Sequence, residues 1–247
     1  MKCVTLPLMD RERVIKSEWT TDKIGEMLDK YKPITIPVSI SVSGKQRILG
    51  FSEAERILRK AKLISLERCS CRVERKNCDG PLDVCVCMDE EAEEAIRERN
   101  AWKTTHEKAL DALRIAHKAG LVHLAFETKG RNRIKIICSC CACCCQTLAA
   151  ITRFGYNHEV VQSSDVIAAR DTQKCTSCGI CVQRCHFDAW GLVGDDVHHY
   201  TMKCGGCGIC ASFCPTGAIT MVKRSRVTGV RERPKKRPQS RNPDRRS

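Results

Sequence analysis

The chain has 247 residues and a mean hydropathy of -0.32, and no stretch of it approaches the roughly 20 apolar residues that cross a bilayer, so a transmembrane protein is excluded from the reading. Twenty cysteines against 3 Trp, 3 Tyr and 5 Phe leave a thin apolar core, which cross-links, either disulfides or metals, must supplement. The formal charge of +14 is uneven: Lys223 to Ser247 holds 11 Lys or Arg against Glu232 and Asp244, and the rest is only mildly basic.

In chain order, the opening MKCVTLPLMDRERV has no apolar run of signal-peptide length, so the expected location is cytoplasmic. In that reducing compartment a cysteine-rich pattern signals metal ligation or redox chemistry rather than a disulfide scaffold. Ile34, Ile36, Val38, Ile40 and Val42 alternate with Thr35, Pro37, Ser39 and Ser41, which predicts a strand, placed on an edge by Pro37. Ser52 followed by Glu55 suits a capping box opening a helix with Ala54, Ile57, Leu58 and Ala61 on one side, ending near Lys62. A longer helix is expected from Thr105 to Ala119, with Gly120 as its left-handed cap. Residues 121–126 and 133–137 are expected to pair as strands around a turn at Lys129 and Gly130. Residues 163–174 are polar and unpatterned and read as a linker, and the tail 223–247 reads as disordered.

The cysteines set the organisation. Cys3 stands alone; Cys69, Cys71, Cys78, Cys85 and Cys87 form one group, and Cys138, Cys140, Cys141, Cys143, Cys144 and Cys145 a second. The last eight form an internal repeat with an offset of 29 residues, in which Cys175, Cys178, Cys181 and Cys185 align with Cys204, Cys207, Cys210 and Cys214. Gly179 aligns with Gly208, Ile180 with Ile209 and Ala189 with Ala218. A loop with a cysteine at every third position wraps three thiolates around one iron-sulfur cube and draws its fourth ligand from elsewhere. A pair of zinc sites built from C-x2-C units leaves the third cysteine of each triplet unexplained.

The segment from Gln173 to Lys223 resembles the bacterial two-cluster ferredoxin family. That resemblance implies a pseudo-twofold pair of hairpins and short helices around two 4Fe-4S clusters, with crossed ligation. Cys175, Cys178, Cys181 and Cys214 would hold the first cluster and Cys204, Cys207, Cys210 and Cys185 the second. The chain departs from the pattern at His186, where the family has proline, while Pro215 keeps it in the second half. A tolerated surface substitution is the expectation there, set against an imidazole tuning the adjoining cluster.

The eleven cysteines from Cys69 to Cys145 are expected to converge on shared metal sites, since eight residues cannot aim six sulfurs at one metal unaided. One or two further 4Fe-4S clusters, structural zinc, and a thiol redox centre are the competing readings. Adjacent cysteines bridge poorly, which weakens the last. This region is similar to the cysteine-rich part of ferredoxin-domain proteins of anaerobes, a resemblance that implies no activity. His106, His117 and His123 read as packing or surface histidines, and His198 and His199 fall in an expected connecting turn and receive no role. No phosphate-binding loop, dinucleotide fingerprint or nucleophile elbow occurs, so no catalytic residue is named.

The expected fold class is α+β: a mixed α/β cysteine-rich domain over 1–162, the linker, and a dicluster ferredoxin module over 175–222. The expected function is electron transfer to or from an oxidoreductase partner protein. A reductase with its own cluster in the first domain, and a redox-sensing regulator that contacts nucleic acid through the basic tail, are the alternatives.

Overall fold

The structure is a computed structural model, and it describes residues 46–127, 134–152 and 161–224. The expected strand at Ile34 to Val42, the Lys129-Gly130 turn, Cys3 and the tail beyond Arg224 lie outside the described residues.

Strand β1 (Gln46–Leu49) leads into helix α1 (Phe51–Leu58), β2 (Ile64–Glu67), α2 (Ser70–Arg75), β3 (Cys85–Met88) and α3 (Glu90–Glu98). The short β4 (Trp102–Lys103) precedes α4 (His106–Lys118), β5 (Val122–Glu127), β6 (Ile134–Cys140) and α5 (Gln146–Thr152). Then come β7 (Val161–Gln162), β8 (Val166–Arg170), α6 (Ile180–Arg184), β9 (Trp190–Val193), β10 (Asp196–His199), α7 (Ile209–Phe213) and β11 (Ile219–Lys223). No described helix is long and apolar enough to cross a membrane.

Seven strands make one sheet in the order β4-β2-β3-β6-β5-β1-β7, antiparallel except for the β1–β7 edge pair. Because successive side chains of a strand point to opposite faces, the neighbours Ile48 and Leu49 serve different cores. Leu49, Leu66, Val86 and Ile137 pack with Ala54 and Leu58 of α1 and Leu110 and Leu113 of α4. Ile48, Val122 and Leu124 pack instead with Leu148 and with Ile167, Phe187, Trp190 and Ile209 of the C-terminal segment. The sheet is therefore the middle layer, α1 and α4 on one side and the cysteine repeat with α5 on the other.

The α4 helix follows its sequence signals: the Thr105 hydroxyl accepts from the Lys108 amide, and Gly120 sits at φ 78° just past the C-terminus. The β5–β6 pair also forms as expected, Leu124 opposite Cys138 and Val122 opposite Cys140. The capping box at Ser52 does not form. Gly50 is the N-cap without a side-chain cap bond, the helix starts one residue before Ser52, and it ends at Leu58 rather than Lys62. Glu53 in its first turn instead accepts from Arg47 at 2.7 Å.

Residues 163–174 are not a free linker. Five of them form β8, which pairs antiparallel with β11 from Val166–Lys223 to Arg170–Ile219, so the segment closes the C-terminal module. The expected turn at His198 and His199 is also corrected: both lie in β10, paired with β9, and His199 stacks on Trp190 at 4.1 Å. The two halves of the repeat share local conformation. Gly179 and Gly208, at φ 74° and 83°, are the N-caps of five-residue helices α6 and α7, and Cys185 and Cys214 end them with nearly the same φ and ψ.

Candidate metal centres

The C-terminal module presents its thiols in two sets. Cys175, Cys178, Cys181 and Cys214 line one cavity of about 300 Å³, open mouth included, with Ile180, Val197, Pro215 and Ile219. Cys178 is exposed, so this cavity faces solvent. Arg170 brings a cation to its edge: Nη1 lies 4.0 Å from the Cys175 sulfur, while the guanidinium donates to both oxygens of Asp196 at 2.7 and 2.9 Å.

Cys185, Cys204, Cys207 and Cys210 form the deeper set. Burial pushes the Cys207 thiol well up, and the neighbouring Cys210, Cys185 and Cys204 add to the shift. Burial likewise raises Cys210, to about 12, and the Trp190 side chain beside it opposes the shift. The Ala189 amide donates to the Cys185 sulfur at 3.3 Å. Burial disfavours a free thiolate at Cys185, Cys207 and Cys210, while backbone N–H groups at Cys185 and Cys207 favour one, an environment that suits thiolate ligands of a metal.

His186 is not a surface substitution. Its Nε2–H donates to the Gly120 carbonyl at 2.7 Å, tying the residue after Cys185 to the C-terminus of α4. Burial lowers its pKa, and Cys141 lies near enough to oppose that shift. The deeper set thus abuts the cysteines of the first 152 residues. His117 makes a second tie, its Nε2 2.7 Å from the Ser212 hydroxyl of α7. His106 donates from Nε2 to the Ala61 carbonyl at 2.9 Å, and His123 is held neutral in the core, its pKa pushed down to about 3 by burial and by His117 beside it. His117 and His123 are buried packing residues, and His106 is exposed.

Ten of the eleven cysteines from Cys69 to Cys145 converge, in two groups, and Cys87 stays apart. Cys78, Cys141, Cys143 and Cys144 come together with every sulfur within 4.8 Å of the others. Six more close a ring of interacting thiols in the order Cys69, Cys71, Cys145, Cys140, Cys138, Cys85 and back to Cys69. Cys87 stands outside both. It is fully buried, burial and Glu67 push its thiol up to about 12, and Arg99 Nη2 lies 3.5 Å from its sulfur.

Local structure explains the sorting. Cys138 and Cys140 are two apart on β6 and so share a face, and the chain then turns through residues 141–145, where the Cys145 amide bonds the Cys141 carbonyl at 3.0 Å. Cys69 caps α2, and its amide bonds the Leu82 carbonyl at 2.8 Å, so the loop through Asp79, Gly80 and Pro81 returns Cys78 to the turn. Asn77 Nδ2 donates to the Cys143 carbonyl at 2.9 Å and fixes that return.

Sequence reasoning missed Arg72. Its side chain is 2% exposed, donates from Nη1 to the Ser139 carbonyl at 2.8 Å and lies 3.8 Å from the Cys141 sulfur. Its Nε and Nη2 have no hydrogen-bond partner. Burial works against its charge, yet the pKa is raised, because Cys69, Cys141 and Cys85 surround it. A buried guanidinium is tolerated beside negative charge, and among the described residues the groups that favour its charge are the sulfurs of Cys69, Cys141 and Cys85. The single signal in the sequence is an arginine flanked by cysteines in Cys69-Ser70-Cys71-Arg72.

Residues 197–220 match the family model of the 4Fe-4S binding domain. None of the curated proteins matches the chain. The matched segment contains Cys204, Cys207, Cys210 and Cys214, so the chain carries a ferredoxin-type iron-sulfur domain with at least one 4Fe-4S cluster, and iron-sulfur electron transfer is its role in general.

Proposed function

We propose that the protein is a multicentre electron carrier whose C-terminal module holds two 4Fe-4S clusters by crossed ligation and delivers electrons to or from an oxidoreductase partner. The cavity shared by Cys175, Cys178 and Cys181 of the first triplet with Cys214 of the second carries this reading, because the fourth ligand arrives from the other half of the repeat. The cluster there would meet solvent at Cys178, and the cluster of Cys185, Cys204, Cys207 and Cys210 would lie behind it, against the remaining cysteines through His186. That gives a path with one exposed end. Cys87 aside, the thiol ring and the four-thiol group are read as further metal centres at its inner end. Each cluster supplies one-electron chemistry; the chain's own residues set its environment, Arg170 at the outer set and the Trp190 and Ala189 N–H groups at the inner one.

Iron counting on paired variants tests the crossing. Replacing Cys175 and Cys214 together by Ser removes one cluster under crossed ligation, whereas replacing Cys204 and Cys214 together empties the module. Uncrossed ligation reverses the two results and overturns the assignment. Turnover of an organic substrate by the isolated chain with only a chemical reductant would overturn the carrier role.

A further inference from the structure

We propose that Cys78, Cys141, Cys143 and Cys144 bind one tetrahedral divalent ion, zinc or ferrous iron, and not a cluster, with Arg72 as its buried counter-charge. The inference rests on the reading of these thiols as a metal centre and fixes its class. Cys78 lies 3.7 Å from Cys141 and 3.9 Å from Cys144, and Cys143 lies 3.8 Å from Cys144, sulfur to sulfur. A tetrahedron of thiolates at about 2.3 Å from a central zinc has sulfurs about 3.8 Å apart. The match leaves room for one ion at the centre. A cubane mounts each cysteine sulfur outside a different iron corner, so its own body holds the four sulfurs apart. The outer ferredoxin set shows that arrangement, four cysteines around an open cavity, and the four-thiol group does not.

Charge supports the same reading. Four thiolates on a divalent ion leave about two negative charges in a buried place, Cys141 and Cys144 being 1% exposed and Cys143 4%. Arg72 stands 3.8 Å from the Cys141 sulfur with two guanidinium nitrogens otherwise unpartnered, so loading the site gives a buried cation its counter-ion. With all four ligands from the chain, the site has the closed coordination of a structural ion.

The test is metal and acid-labile sulfide analysis of the full chain purified anaerobically, beside the Cys78→Ser variant, with Cys87→Ala as the control outside both groups. The expected result is loss of one zinc or one iron per chain in Cys78→Ser with no loss of sulfide, and no change in Cys87→Ala. Zinc or iron lost identifies which ion is resident. Loss of about four iron with four sulfide would leave the centre standing but overturn its single-ion class. No loss of any metal would overturn both the class and the reading of these thiols as a metal centre. X-ray absorption of the unaltered protein keeps the proposal testable if the variant does not fold. Under zinc loading, four sulfur neighbours at about 2.3 Å and no metal neighbour are expected, and a nitrogen or oxygen neighbour would overturn the four-thiolate assignment.

Discussion

Trp190 shows how one side chain can bias a cluster. The indole N–H beside Cys210 lowers its thiol pKa against burial, and a donor that favours thiolate over thiol also favours the more negative, reduced cluster over the oxidised one. Stacking on His199 at 4.1 Å and burial to 3% hold the indole in place. Trp190→Phe keeps an aromatic ring and removes the N–H. A net hydrogen bond of about 1 kcal/mol corresponds to about 40 mV in a one-electron couple. The potential of the inner cluster should therefore fall by about that amount, read by redox titration under paramagnetic resonance, while the outer cluster stays fixed. An unchanged potential would mean that the Trp190 contact does not bear on the cluster. Arg72 belongs to the same scale with the opposite sign of legibility. A buried charge is recognised by what surrounds it, and its partners lie up to 69 residues away, at Ser139 and Cys141.

At the scale of elements, two glycines of the C-terminal module make a controlled comparison. Gly206 and Gly194 both have positive φ, at 78° and 61°. A Cβ at Gly206 would sit 2.2 Å from the Val166 carbonyl oxygen, where the Cys204 to Cys210 loop presses on β8, and at Gly194 it would meet nothing within 4 Å. Gly194→Ala should cost only the left-handed backbone penalty, about 1 kcal/mol, and keep all its iron. Gly206→Ala must also move the loop that carries Cys204, Cys207 and Cys210, so it should lose the inner cluster, which iron analysis of the two variants reads directly. Equal iron in both would show that the loop yields without cost. The strand this loop presses on was the least legible in the sequence. Val166 to Arg170 is a short apolar run inside a polar segment, too brief to announce a strand, and its partners in β11 lie 49 to 57 residues on. By contrast α4 and the β5–β6 pair are local, and Thr105, Gly120 and the apolar spacing announce them. The ferredoxin spacing was legible for the same reason, since Cys204, Cys207 and Cys210 lie on one short loop of the segment that matches the 4Fe-4S binding domain. The division of the other cysteines was not, because spacing gives neighbours along the chain and Cys78 meets Cys141 across a fold.

On the scale of the whole molecule, the two thiol-rich regions share one core. Ile48, Val122 and Leu124 of the large sheet pack in the same buried cluster as Ile167, Phe187 and Ile209, and Cys181, Cys204 and Cys210 belong to it. Gly205 shows how close the approach is: a Cβ there would lie 2.7 Å from Ile48 and 2.9 Å from Phe187. His186 to Gly120 and His117 to Ser212 add polar ties across the same boundary. A module whose core is partly its own clusters loses folding free energy when the metal leaves, and here the loss cannot stay within the module. Removing the iron should strip amide-exchange protection from β1 and β5 as well as from β8 and β11. The α1 and α4 helices pack on the far face of the sheet, on a separate core, and should be the last to lose it. Exchange measured before and after anaerobic chelation reads this order. If β1 and β5 kept their protection while β8 and β11 lost theirs, the shared core would contribute little, and the two regions would be independently stable parts in contact.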